Sequence, residues 1–307
     1  MKEMTIEEFS TELVWYGSKE QMQDFYLMPK VDHYEYYFRQ GPFYHGQGCV
    51  SDEIGRQLIS RFKYLGQMDV SERRKAQLGA ITYILPNKEQ RLRLSTVGDY
   101  LQRESLVIRF LHSFGNSCEN YLLPEQLVTI LQACHSKGLY LFCGPVGSGK
   151  TTLMYKLAKE RGGQVLTIED PVEIEESDFL QLQVNEKIHQ TYEELIKLSL
   201  RHHPDVLIIG EIRDQKTILG AIRAALTGHC VFATLHASSL EAAENRAIEL
   251  GGDKQLLQDC LRGIIYQELL PYQKKEVGLL MSYTFYEDQP KHFSWQEGLK
   301  QVEERKL

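Results

Sequence analysis

The fold is decided by residues 139–152, which read Leu-Tyr-Leu-Phe-Cys-Gly-Pro-Val-Gly-Ser-Gly-Lys-Thr-Thr. The first five residues have the length and largely apolar character of a buried strand, and a G-x-x-x-x-G-K-[ST] loop follows them directly. Glycines let the backbone of such a loop curl so that successive N–H groups point at phosphate oxygens. A helix predicted from Lys150 would add its positive amino end. The stretch therefore predicts a phosphate-binding loop rather than a mere glycine-rich turn.

The predicted loop assigns separate tasks to its residues. Lys150 would reach the β- and γ-phosphates of a nucleotide, and the Thr151 hydroxyl would bind Mg²⁺. The GTPase specificity pattern Asn-Lys-x-Asp is missing, because Asn87-Lys88 continues with Glu-Gln and precedes the loop. We therefore expect ATP and Mg²⁺ as the ligands. The expected binding residues are Gly144, Pro145, Val146, Gly147, Ser148, Gly149, Lys150, Thr151 and Thr152.

Acidic residues follow two further apolar stretches. Val206–Ile209 is a predicted strand that runs into Gly210-Glu211, and the carboxyl ends of parallel strands form the site in an α/β sheet. Glu211 can hold Mg²⁺ through water or polarise the attacking water. The segment 168–174, Ile-Glu-Asp-Pro-Val-Glu-Ile, brings three carboxylates to a turn that a proline fixes. One of them could act as a general base, or the segment could be an acidic surface turn.

Two histidines flank a third apolar stretch. His229 precedes and His236 follows the predicted strand Cys230–Leu235. Either imidazole could contact a γ-phosphate or report its presence, and a structural role would suit the same positions. The spacing alone leaves both interpretations open.

The two halves of the chain have different patterns. From Pro124 onward, apolar strands alternate with helices, which is typical of an α/β domain with a parallel central sheet. Capping boxes at Thr191–Glu194 and Ser238–Glu241 are predicted to open two of these helices, the first of which runs to about His203. The earlier half predicts a hairpin, a helix from Ser51 to about residue 65 and three antiparallel strands, together a smaller α+β domain. The sequence thus predicts an amino-terminal domain at 1–112, a linker at 113–123 and a second domain at 124–307. The three strands are predicted at Gln77–Leu85, Glu89–Val97 and Glu104–Leu111.

Bulk composition sets further limits. The 307 residues carry a net charge of −7, which argues against a protein whose main task is to grip nucleic-acid phosphates. No apolar run approaches the roughly 20 residues that span a bilayer, and the amino terminus lacks an apolar signal core. We therefore expect a cytoplasmic protein unless a partner holds it at a membrane. The six cysteines form no Cys-x-x-Cys pair, so reduced, buried thiols are expected rather than zinc ligands.

As a set, these motifs resemble those of the secretion ATPase superfamily, the motors of type II secretion, type IV pili and competence pseudopili. Four blocks match in order: the Walker A loop at 144–152, the Asp box at 168–173, the Walker B segment at 210–214 and the His box that ends at 233–237. The amino-terminal half matches through Arg91-Leu-Arg-Leu-Ser-Thr and Glu104-Ser-Leu-Val-Ile-Arg. The pattern is most similar to the competence ATPases of Gram-positive bacteria.

The resemblance implies roles for individual residues. Glu211 becomes the Walker B carboxylate, and Glu173 becomes a candidate activator of the attacking water. His229 and His236 fall on the nucleotide-responsive histidines of the family.

The resemblance also extends to the architecture. It implies a homohexameric ring in which each subunit has a PAS-like amino-terminal domain and a RecA-like carboxyl-terminal domain. Arg93 and Arg109 fall on arginines of the amino-terminal domain that contact nucleotide. A guanidinium there would stabilise charge on the transferring phosphoryl group.

The function that the resemblance implies is ATP hydrolysis that drives assembly of a competence pseudopilus for DNA uptake. The expected partner is a polytopic membrane platform protein, and no direct contact with nucleic acid is expected. A pilus retraction motor or a type II secretion ATPase is the alternative within the family. A nucleic-acid motor is the alternative from another class, because RecA-like cores also drive helicases and a basic stretch could suit DNA. The basic stretch is better explained as an inter-subunit or nucleotide-facing surface. Its residues are Arg61, Lys63, Arg73, Arg74 and Lys75.

Overall fold

In the computed structural model, residues 5–41, 43–86, 88–112, 120–251, 253–272, 276–286 and 290–306 are described. The chain divides into two units, Met1–Ser117 and Cys118–Leu307, and each has a core of its own. Most of the predicted linker falls on residues 113–119, which lie outside the described residues. The domain limits 1–112, 113–123 and 124–307 therefore remain predictions.

The described part of unit 1 combines two helices with six strands. Its elements are α1 (Ile6–Lys19), β1 (Asp24–Pro29), β2 (His33–Gln40), β3 (Phe43–Ser51), α2 (Asp52–Leu65), β4 (Gln77–Leu85), β5 (Lys88–Gly98) and β6 (Glu104–Leu111). The strands form one antiparallel sheet of order β3-β2-β1-β6-β5-β4. Apolar residues of both helices and of five strands share one core.

Local sequence explains most of unit 1. Ser51 accepts a hydrogen bond from the backbone N–H of Ile54 and caps α2, as predicted. In β5, Leu92 and Leu94 are buried and the alternating residues face outward, so only one face of the strand joins the core. Helix α1 is an addition to the predicted elements, and its start carries a capping box between Thr5 and Glu8.

Unit 2 alternates helices and strands over its first part, and antiparallel strands and a final helix complete it. Its sheet has eight strands in the order β14-β13-β12-β7-β11-β10-β8-β9. The elements are α3 (Pro124–Ala133), β7 (Gly138–Cys143), α4 (Lys150–Arg161), β8 (Val165–Glu169), β9 (Leu180–Gln183), α5 (Tyr192–Ser199), β10 (Val206–Ile209), α6 (Gln215–Leu226), β11 (Cys230–Leu235), α7 (Leu240–Gly251), α8 (Lys254–Cys260), β12 (Leu261–Tyr272), β13 (Glu276–Phe285), β14 (Lys291–Phe293) and α9 (Trp295–Lys306).

The sheet of unit 2 is mixed and mostly parallel. Six neighbouring strands run parallel to one another, in the order β12, β7, β11, β10, β8 and β9. Strand β13 pairs antiparallel with β12, and β14 pairs antiparallel with β13. The four strands β7, β8, β10 and β11 are buried along their whole length, because helices cover both faces of a parallel sheet. The predicted α/β class is confirmed, and the antiparallel strands extend the predicted parallel centre at one edge.

Two predicted helices of unit 2 differ in detail from the structure. Thr191 caps α5 as predicted, but the helix ends at Ser199 and a short 3₁₀ turn follows. For α7, the prediction of a capping box at Ser238 is wrong by one residue, because the hydroxyl of Ser239 accepts the hydrogen bond from the backbone N–H of Ala242.

Two expectations from composition concern membranes and thiols. Among the helices that the structure describes, none is long and apolar enough to cross a membrane. Cys134, Cys143, Cys230 and Cys260 are buried free thiols as expected, whereas Cys49 is exposed.

Candidate active site

The candidate site lies where the central strands of unit 2 end. Strand β7 pairs with β11 up to Cys143 and Leu235, and β10 pairs with β8 up to Ile209 and Ile168. Because these strands are parallel, the segments that follow them emerge at one edge of the sheet. Those segments are the glycine loop at 144–149, the acidic turn at 169–174, Gly210-Glu211 and His236.

The glycine loop has the backbone conformation that the sequence predicted. Gly144, Gly147 and Gly149 have φ values of 138°, 77° and 84°, a region that residues with a side chain rarely adopt. A Cβ added to Gly144 would also collide with the backbone carbonyl oxygen of Gln267 on β12. Gly144 is therefore required both by its conformation and by the approach of a neighbouring strand.

Lys150, the first residue of α4, closes the loop from inside. Its side chain is buried, and its Nζ donates hydrogen bonds to the carbonyl oxygens of Gly144 and Pro145 at 3.0 and 2.7 Å. Burial lowers the pKa of the Lys150 amine, and attraction to Glu173 and Glu211 is among the effects that oppose this shift. Both carboxylates therefore lie within electrostatic range of this lysine.

Glu211, directly after β10 and Gly210, is held from two sides. Its Oε1 lies 3.0 Å from His236 Nε2, and its Oε2 accepts a hydrogen bond of 2.5 Å from Arg213 Nε. Arg213 also reaches Asp170 of the acidic turn, with 3.5 Å between Nη1 and Oδ2. The carboxylate at the end of β10 is thus oriented by a histidine from β11 and an arginine of its own segment.

The structure separates the three carboxylates of the acidic turn. Glu169 is buried, and its Oε1 accepts hydrogen bonds from Tyr155 at 2.6 Å and Thr167 at 2.7 Å. Burial raises the pKa of the Glu169 carboxyl, and the hydrogen bonds, including one from the backbone N–H of Glu173, counter that shift. Glu169 therefore fixes the turn, whereas the side chain of Glu173 is exposed.

The two histidines lie at opposite edges of the sheet. His236 follows the carboxyl end of β11 beside Glu211, but His229 precedes Cys230, which pairs with Gly138 at the amino end of β7. The rise per residue along a strand puts the Cα atoms of the two histidines roughly 20 Å apart. The Nδ1 of His229 lies 3.1 Å from the carbonyl oxygen of Ala224. Within one chain, His236 therefore lies at the loop end of β11 and His229 lies at its opposite end.

Arg93 and Arg109 belong to unit 1. They lie directly opposite each other on β5 and β6, on the face of the sheet turned away from the unit 1 core. The next residue in the same row is Asp24 on β1, whose Oδ1 lies 2.9 Å from Arg109 Nε. The two arginines therefore form one patch, as the predicted shared role requires, and that role stays a prediction.

The donor set suits Mg²⁺. Thr151 is the second residue of α4 and is partly buried, and Glu211 contributes a carboxylate at the same edge of the sheet. Hydroxyl and carboxylate oxygens with few protein ligands match Mg²⁺, which keeps several waters and takes its remaining ligands from substrate phosphates. Within the described ranges, no group of three or more His, Cys, Asp or Glu side chains is placed to hold a metal ion.

Two residues of the site were not among the predicted ones. Arg213 lies in the Walker B segment, where its charge two positions after Glu211 is the signal that could have identified it. Gln267 contacts the loop from β12 and is buried. The signal in the sequence is a single carboxamide within a largely apolar stretch. Neither contact follows a local periodic pattern.

Comparisons with known proteins agree with this geometry. The family model described as "Type II/IV secretion system protein" matches residues 2–303. The chain is 46% identical over 267 residues to the competence protein ComGA of Streptococcus pneumoniae, covering 86% of this chain and 85% of that protein. It is 37% identical over 273 residues to ComGA of Bacillus subtilis, covering 87% of this chain and 76% of that protein. The family resemblance read from the motifs is confirmed.

Solved structures show the same fold at low sequence identity. The ATPase DotB of Legionella pneumophila superposes with a TM-score of 0.73 and 19% identity over 91% of this chain and 81% of that chain. The pilus retraction motor PilT with bound ADP superposes with a TM-score of 0.62 and 22% identity over 97% of this chain and 86% of that chain. At these identities, the similarity supports the fold and no individual residue role.

Proposed function

This chain belongs to the type II/IV secretion system protein family, and from that premise we propose that it is an ATPase whose hydrolysis powers assembly of a competence pseudopilus for DNA uptake. The observation that carries the proposal is the glycine loop at the carboxyl ends of the central strands, which Lys150 closes through the carbonyl oxygens of Gly144 and Pro145. A buried cation in a loop of glycines with positive φ, with the Glu211 carboxylate at the same edge of the sheet, matches what cleavage of a nucleoside triphosphate needs. The competence assignment rests on the ComGA relatives.

Each residue then has a chemical task in hydrolysis. Backbone N–H groups of the loop hold the phosphates, and Lys150 exchanges the carbonyl oxygens of Gly144 and Pro145 for phosphate oxygens. Glu173 orients a water toward the γ-phosphorus and accepts its proton while the bond to the bridging oxygen breaks. Bound Mg²⁺, held by Thr151 and Glu211, would neutralise charge on the β- and γ-phosphates.

The proposal extends to a ring of six subunits with a PAS-like unit 1 and a RecA-like unit 2. Arg93 and Arg109 of unit 1 would contact the γ-phosphate, and His236 would respond to its presence in the same subunit. His229, at the opposite end of β11, would respond only to a nucleotide bound by a neighbouring subunit of the ring. The γ-phosphate would tie the two units together, and its loss would release them, which converts hydrolysis into movement. The ring would work at the inner face of the cell membrane on a polytopic platform protein.

The nucleic-acid alternative loses part of its basis. Of the five basic residues in the stretch 61–75, Lys63 is fully buried and paired with Glu104. The Arg61 guanidinium is mostly covered and binds Glu7 and Ser10. Lys63 is thus committed to the inside of unit 1, where it cannot contact phosphates of DNA, and the charge of Arg61 is already paired with Glu7.

The test uses the purified full chain and its host. We expect Mg-dependent ATP hydrolysis that Lys150→Ala abolishes, and loss of pseudopilus assembly in a competent host that carries Lys150→Ala. Stimulation by the membrane platform protein would support the pilus motor, whereas stimulation by DNA would support the nucleic-acid motor. Unchanged hydrolysis in Lys150→Ala would disprove the assignment of the site.

A further inference from the structure

Gln267 on β12 lies against the phosphate loop although it is far from it in sequence. Strand β12 runs parallel to β7, and Tyr266 pairs with Cys143, the last residue before the loop. The residues that follow this pair are Gln267 on β12 and Gly144 after β7, and they are therefore neighbours. The Gln267 side chain is completely buried, and its Nε2 donates a hydrogen bond of 2.6 Å to the carbonyl oxygen of Ser148.

This hydrogen bond fixes the direction of a phosphate-binding N–H group. The carbonyl of Ser148 and the N–H of Gly149 belong to the same planar trans peptide unit, so they point in opposite directions. Since Gln267 holds the carbonyl on the β12 side, the N–H of Gly149 points away from β12. In a loop of this kind, that direction is toward the phosphates.

Stability of the fold does not explain this glutamine. The Oε1 of Gln267 and the hydroxyl of Ser148 are buried, and neither finds a hydrogen-bond partner within the described part of the chain. A buried acceptor without a partner destabilises the folded state relative to an apolar side chain of similar shape. The buried Gln126 differs, because its Nε2 donates to the carbonyl of Met281 and its Oε1 accepts from the N–H of the same residue.

We propose that Gln267 is a positioning residue for nucleotide binding, which sets the orientation of the Gly149 N–H through the Ser148 carbonyl. The inference rests on the proposed function, because it takes the loop as the phosphate site. Gln267 contacts no nucleotide in this scheme and acts only through the loop. It is therefore expected to determine affinity for the polyphosphate more than the rate of cleavage.

The experiment compares Gln267→Met with wild type and with Gln126→Met in the full chain. Methionine keeps the shape of glutamine and removes the donor. We expect Gln267→Met to raise the Kd for ADP and the KM for ATP about tenfold, the equivalent of one lost hydrogen bond, while kcat changes less than twofold. Gln126→Met should lower the melting temperature and leave the Kd for ADP unchanged.

Three results decide the matter. A Kd for ADP in folded Gln267→Met that equals that of wild type overturns the proposal, as does a loss confined to kcat. If Gln267→Met does not fold, Gln267→Leu replaces it, because leucine also lacks a donor for the Ser148 carbonyl and carries no charge. A wild-type chain that does not bind ADP at all would instead refute the proposed function, so the two failures are distinguishable.

Discussion

The Nε2 of His236 lies 3.0 Å from Oε1 of Glu211, across two neighbouring parallel strands. Arg213 occupies the other oxygen of the same carboxylate. A carboxylate fixed at both oxygens keeps one orientation toward the loop, which is what a group that binds Mg²⁺ through water requires. The relationship also separates His236 from His229, since only one end of β11 reaches the site.

The first prediction concerns these two histidines. His236→Ala should raise the Mg²⁺ concentration for half-maximal hydrolysis by about 10- to 100-fold, because it removes a group that orients a metal-binding carboxylate. His229→Ala should leave that Mg²⁺ requirement unchanged, since His229 lies at the amino end of β11, away from Glu211. Titration of hydrolysis with Mg²⁺ at saturating ATP measures both. An equal shift in the two variants would contradict the placement argument.

The second prediction separates Glu173 from its neighbours. Glu173→Gln should lower kcat by about 10²- to 10⁴-fold, because an amide cannot accept the proton of the attacking water. Binding of ATP should persist, since the amide also removes negative charge near the phosphates. Glu175→Gln, two residues further along the same exposed segment, is the matched control and should hydrolyse ATP at the wild-type rate. Single-turnover hydrolysis together with equilibrium ATP binding gives both quantities.

Much of this arrangement was predictable because it depends on short-range patterns. Strands β4 and β6 begin and end at the predicted residues, since alternation along a half-buried strand is a local property. The loop and Glu211 follow from a motif and from the rule that parallel strands place their carboxyl ends together.

The remainder depends on pairing between distant segments. The position of Gln267 beside Gly144 follows from the register of β12 on β7, and no local pattern encodes that register. The difference between Glu169 and Glu173 follows from Tyr155 on α4, which donates to one carboxylate and thereby makes it structural. Sequence reasoning could place three carboxylates in one turn but could not tell which of them is buried.

The third prediction uses the buried Glu169. Burial raises its pKa above the ordinary value of 4.5, so the folded chain binds a proton more tightly than the unfolded chain. Its contribution to stability is therefore fully present below about pH 4.5 and is lost as the pH rises through the higher pKa of the folded state. Glu169→Gln lacks this titration. The melting temperature of wild type relative to Glu169→Gln should fall between pH 4.5 and 7.5, and a constant difference would contradict the argument.

The fourth prediction concerns the buried ion pair of unit 1. Lys63 Nζ lies 2.7 Å from Glu104 Oε1 and also donates to the carbonyl of Glu72 at 2.6 Å. Lys63→Met should lower the free energy of unfolding by about 3–5 kcal/mol, because it leaves the Glu104 carboxylate buried without its cation. The double variant Lys63→Met/Glu104→Leu should recover most of that loss. Urea denaturation of the full chain measures it, and a double variant no more stable than the single one would contradict the explanation.

The last prediction concerns Arg93 and Arg109, which face each other on neighbouring strands. Like charges directly opposite in an antiparallel pair destabilise a sheet by about 0.2–1 kcal/mol. Repulsion between the two guanidiniums lowers the stability of the sheet, whereas a γ-phosphate would be stabilised by both of them. Arg93→Gln should therefore raise the free energy of unfolding by roughly 0.5 kcal/mol and lower ATP hydrolysis at least about tenfold.

The matched control for that variant is Arg91→Gln, on the same outward face of β5 but opposite Leu111. It relieves no repulsion between cross-strand arginines, so neither the stability gain nor the loss of hydrolysis is expected. Urea denaturation and steady-state hydrolysis of both variants test the contrast. If Arg93→Gln destabilised unit 1 and hydrolysed ATP at the wild-type rate, the arginine pair would be a structural feature of the sheet. The reverse result would identify it as a site where stability is lower because the nucleotide requires the charge.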